Sequence, residues 1–73
     1  MNEEVKQLAR CLYKYLVDEH DYFADLYRKN IKANITENAY FDLGIMNCTE
    51  RMIDYLKEVV KEYGVEVEED ESV

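Results

Sequence analysis

The chain has 73 residues, and its 17 acidic and 9 basic side chains give a formal charge of −8, with no proline, two glycines and seven tyrosines. This length allows one domain, which buries only about 60% of the surface its unfolded chain exposes and therefore needs help from disulfides, a metal or self-association. Cys11 and Cys48 are too few for a disulfide framework, no apolar run approaches the ~20 residues of a membrane span, and no basic-then-apolar leader opens the chain, so a reducing, cytoplasmic setting is expected. With 48% hydrophobic and 36% charged residues the chain has enough apolar material to fold under a highly charged surface.

The charge is uneven. Residues 1–34 hold six acids and six bases, residues 35–64 six acids and three bases, and residues 65–73 five acids and no base. Binding to a phosphate backbone depends on lysine and arginine, so this balance argues against direct nucleic-acid binding.

From Glu3 to about Lys32 there is neither glycine nor proline, and apolar residues recur at helical spacing. One stripe runs through Val5, Leu8, Leu12, Tyr15, Tyr22 and Leu26. A second runs through Ala9, Leu12, Leu16, Phe23 and Tyr27, and a third through Tyr13, Val17, His20, Ala24, Tyr27 and Ile31. Lys14, Asp18, Asp21, Asp25, Arg28 and Lys32 form the one consistently polar strip. An apolar surface this wide exceeds what one neighbour covers.

A connection is expected between Ala33 and Thr36, with Asn34 (three residues before Glu37) or Thr36 as the N-cap of the next helix. Phe41, Ile45, Cys48, Met52, Leu56, Val59 and Tyr63 then step by threes and fours along one face of a helix over about 37–63. Ala39, Leu43, Met46, Ile53 and Val60 make a second stripe on it. Gly64 fits the left-handed position past the helix end. Gly44, followed by Asn47 and Glu50 at capping-box spacing, offers an alternative in which this helix breaks and the chain has three helices.

The expected fold is therefore all-α, an antiparallel helical hairpin over residues 1–64 with an acidic tail over 65–73 in which Val65 and Val67 alternate with glutamates like a short strand. The surplus apolar stripes predict a homo-oligomer, completed as a four-helix bundle by a second copy. Pairing about residue 34 sets position i near 69 − i. The two cysteines then lie too far out of register to bridge, and are expected as small buried hydrophobes.

Little in the chain suggests catalysis. Asp18, Glu19, His20, Asp21 and Asp25 are residue types that hold metals, but Glu19 is adjacent to His20 instead of three residues before it, and the aspartates lie on the polar strip. Two glycines cannot build a phosphate-cradling loop, and no hydroxyl stands near His20 in sequence to serve as a nucleophile. No enzymatic activity, metal or cofactor is expected.

Two features point to a protein partner. Glu50, Asp54, Glu58 and Glu62 stand at i, i+4 spacing, each step a rise of about 6 Å, comparable with the spacing of phosphates along a nucleic-acid strand. Asp18, Asp21 and Asp25 add charge on the companion helix. Seven tyrosines exceed what a small core holds, so Tyr22 and Tyr55 are expected at a docking surface. The competing reading is a solvent face in which Arg51, Lys57 and Lys61 neutralise the ladder.

In size, charge and helicity the chain resembles the small acidic helical proteins, such as anti-CRISPR and anti-restriction proteins, that phages and mobile elements use to block host nucleic-acid machinery. That resemblance implies an inhibitor whose acidic surface meets a basic, nucleic-acid-handling protein. Two alternatives are a small-molecule or nucleotide binder with His20, Arg28 and tyrosines at an oligomer interface, and a structural assembly subunit.

Overall fold

A computed structural model describes residues 3–67, which form two helices, α1 (Glu3–Lys32) and α2 (Thr36–Lys61). α1 has Glu3 and Glu4 in its first turn and Lys29 and Lys32 in its last, the charge order that complements the helix dipole. It ends at Asn34, whose φ of 61° places it in the left-handed region. There the Asn34 N–H donates to the Ile31 carbonyl (3.2 Å) and the Ile35 N–H to the Asn30 carbonyl (2.9 Å), the bond pair of a Schellman ending with asparagine in the usual glycine position.

This corrects the expected start of α2. Asn34 closes α1 and so does not cap α2, and Thr36 is already helical; Ile35 occupies the N-cap with no side-chain hydrogen bond. Residues 33–35 are too short a connection for Asn34 to do both jobs.

The break considered at Gly44 does not occur, and α2 runs through it without interruption. A Cβ on Gly44 would meet nothing within 4 Å, so neither a cap nor a close approach calls for glycine there. At the far end Gly64 takes the expected left-handed conformation, φ 76°. Its N–H donates to the Lys61 carbonyl (2.9 Å) and the Val65 N–H to the Val60 carbonyl (3.0 Å), a second Schellman ending.

That turn sends the chain back across the open end of the hairpin. Val65 (3% exposed) and Val67 (6%) are buried with Ala9 and Val60, and Tyr13 and Leu56 pack on the group. Glu66 between them is exposed, so the alternation read as a short strand survives with no strand among the described residues. The start of the segment read as an acidic tail thus belongs to the core, while residues 68–73 lie outside the described residues.

The seam between the helices uses faces that hydropathy alone does not single out. On α1 it buries Ala9, Leu16 and Ala24; on α2 it buries Ala39, Asp42, Thr49 and Val60. The α2 stripe through Phe41, Cys48, Met52, Val59 and Tyr63 is largely exposed, and the other stripe lines the seam. Small side chains explain the choice, because Ala9, Ala24, Ala39 and Thr49 let two backbones approach where larger residues would hold them apart. Ala9 with Val60 and Tyr13 with Leu56 obey the expected 69 − i pairing. Near the turn the Asn30 Nδ2 donates to the Asp42 Oδ2 at 2.6 Å, and the Thr49 hydroxyl donates back to the Ile45 and Met46 carbonyls.

The resulting body is long and thin, 48 × 23 × 16 Å, with a radius of gyration of 14.9 Å. A compact domain of this length would have about 11 Å. No large side chain among the described residues is completely buried.

Candidate protein-binding surface

Each residue along a helix turns the side chain by about 100°, so residues two apart point to nearly opposite sides. An open groove of about 760 Å³ fixes one side of the hairpin. Leu12 and Leu16 of α1 and Met52, Leu56 and Val59 of α2 line it, and Arg51 and Tyr55 complete its wall. Asp18 follows Leu16 by two residues, as Asp54 follows Met52. Asp18 and Asp54 therefore project away from the groove, whereas Glu58, seven residues beyond Arg51, stands beside the groove wall. Asp21 and Asp25 extend the same strip of α1, and Glu50 stands at its edge on α2 near the seam.

The hairpin is thus apolar on the groove side, while its polar strip on α1 mixes Asp18, Asp21 and Asp25 with Lys14, Arg28 and Lys32. All seven acids chosen from sequence (Asp18, Asp21, Asp25, Glu50, Asp54, Glu58 and Glu62) are exposed. An i, i+4 series drifts by about 40° per step, so the ladder winds from Glu50 near the seam to Glu62, which shares the face of Tyr55 at the groove wall.

The two helices hold their charge differently. On α1, Lys14 Nζ lies 3.0 Å from Asp18, and Lys29 Nζ and Arg28 Nη2 lie 3.1 and 3.8 Å from Asp25. His20 Nδ1 stands 3.6 Å from Asp21. On α2, Arg51 and Lys61 form no ion pair with Glu50, Asp54, Glu58 or Glu62 among the described residues. Arg51 instead turns toward the groove. No group of three His, Cys, Asp or Glu side chains among the described residues is placed to hold a metal ion, and none of their helices is long and apolar enough to cross a membrane.

Tyr22 and Tyr55 are exposed, Tyr22 between Asp18 and Asp25 at i, i+4 and i, i+3 spacing and Tyr55 three residues before Glu58. Tyr22 sits on the outer edge of α1 with its ring edge-on to Phe23 at a centroid distance of 5.1 Å, and Tyr55 stands at the groove. Five of the seven tyrosines are exposed, while Tyr13 and Tyr27 are half-buried. The cysteines correct another expectation: both are exposed and free, and Cys48 opens onto the groove. His20 and Arg28, suggested as ligand contacts, are not part of the groove lining. Sequence reading passed over the groove itself. The signal was present in Leu12, Leu16, Met52 and Val59, but nothing in their spacing says which apolar stripe the partner helix covers.

No family model, curated protein or solved structure matches this chain. Function must therefore be argued from its own side chains.

Proposed function

We propose that this chain is a non-enzymatic protein-binding module, an inhibitor of the phage or mobile-element type, whose acidic side docks on a basic, nucleic-acid-handling partner in the cytoplasm. The observation that carries this reading is the α2 ladder, where Glu50, Asp54, Glu58 and Glu62 are exposed and neither Arg51 nor Lys61 forms an ion pair with them. A carboxylate already neutralised by its own helix gains little from a partner. One whose charge faces solvent gains more, though screened by salt.

The rigid helix holds these charges about 6 Å apart along its axis, so a cleft shaped for a phosphate backbone meets negative charge at similar intervals. Complementary fields of this kind raise association rates by about 10- to 1,000-fold and weaken steeply with salt. Inhibition would follow from occupying the cleft.

The test compares the native chain with an Asp54→Lys/Glu58→Lys variant in capture of partners from the native host. The native chain is expected to retain a basic protein at low salt and release it as the ionic strength nears ~1 M, where the screening length falls to about 3 Å. The variant should lose at least tenfold in association rate with that protein. Capture unaffected by both salt and charge reversal would contradict the reading.

A further inference from the structure

We infer that the apolar side of the hairpin is the interface of a homodimer, in which the groove of one copy packs face to face on the groove of another to complete a four-helix bundle. The area supports a second copy. Helical repeats carry the groove surface on from Leu12 to Leu8 and Tyr15, and from Met52 to Phe41 and Val59. Leu8 is 69% exposed and Tyr55 73%, and the other large side chains on this face are mostly between one third and two thirds exposed. At about 150–250 Å² for each aromatic and somewhat less for the aliphatics, this side presents roughly 700 Å² of apolar surface. A standard interface takes about 800 Å² from each partner.

Charge favours self-recognition over another apolar partner. Among the residues that face this side, the ionic groups near the middle are Glu19, half-buried three residues beyond Leu16, and Arg51 in the groove wall. They have opposite signs, and the hairpin register puts position 19 level with position 50. A two-fold axis parallel to the helices lays α1 of each copy over α2 of the other at unchanged height. Each copy's Glu19 then stands across from the other's Arg51, the reciprocal arrangement that a two-fold interface requires. A 16 Å thickness becomes that of an ordinary bundle. Asp54 and Glu50 stay outward, so this inference and the proposed docking on a basic partner can fail separately.

Sedimentation equilibrium of the full chain at about 10 to about 200 µM tests the inference. The native chain is expected at twice its 8.8 kDa mass. Met52→Glu and Leu12→Glu should shift it toward the single-chain mass with at least a tenfold weaker association, while Asp54→Arg, on the far side, should leave it a dimer. A second readout does not depend on those variants folding. With Cys11→Ser, maleimide labelling of Cys48 should slow at least tenfold between the dilute and concentrated ends. A single-chain mass throughout, a dimer indifferent to Met52→Glu, or a Cys48 rate independent of concentration would each overturn the inference. A single-chain mass with a raised melting temperature on adding oleate would do so in favour of an apolar small molecule.

Discussion

At Gly64 the backbone takes φ 76°, which an L side chain adopts only under strain, and the turn made there carries Val65 into the core. Gly64→Ala is expected to cost about 1 kcal/mol, seen as a lower urea midpoint with an unchanged slope. Gly44 gives the opposite sign. It lies inside α2 with open space where a Cβ would go, so Gly44→Ala should stabilise by about 1 kcal/mol, raising the melting temperature by about 4–8 °C. A destabilised Gly44→Ala would mean that the helix is not continuous there. Asn30 and Asp42 form the clearest polar pair of the seam, at 2.6 Å with Asp42 only 4% exposed. Asn30→Leu strands that carboxylate and should cost about 1–3 kcal/mol, whereas adding Asp42→Leu should recover much of the loss. A double variant no more stable than the single one would show that the pair is not coupled.

At the scale of elements, the hairpin holds together through a seam of small residues and is closed at its open end by the returning segment. Val65 and Val67 supply two of the buried apolar side chains in a chain with few, so Val65→Ala and Val67→Ala should each lower stability by about 1–2 kcal/mol in urea denaturation. Substitution of the exposed Glu66 should do almost nothing. Both helices, the connection near residue 34 and the glycine ending at 64 were legible in the sequence, because helical periodicity and turn residues act locally. The inner face was not. Periodicity marks where apolar residues recur, but the choice among three stripes on α1 depends on how closely two backbones approach, which Ala9, Ala24 and Ala39 decide. No hydropathy pattern places Asp42 inside, since its burial depends on Asn30 across the seam. Asn34 misled for a related reason: asparagine serves equally as a helix start and as a left-handed helix end, and only the length of the connection chooses. Of the candidate surface, the exposure of the acids was legible from spacing, while the groove beside Tyr55 required knowing which side of each helix faces its neighbour.

At the scale of the whole molecule, a body 16 Å thick with an apolar groove leaves exposed the large side chains that its own core lacks, as half of a bundle would. Charge reversal at Asp54 should weaken partner binding without changing the native mass, and a charge at Met52 should do the reverse; one variant disturbing both would deny that the two surfaces act independently. The central claim is that a single hairpin is thermodynamically incomplete. The most direct measurement is the melting temperature as a function of protein concentration, because a fold coupled to association is stabilised by mass action. Between about 5 and about 500 µM the midpoint should climb by several degrees. A midpoint that stays high and constant over that range would show that one copy is sufficient, and would contradict the claim.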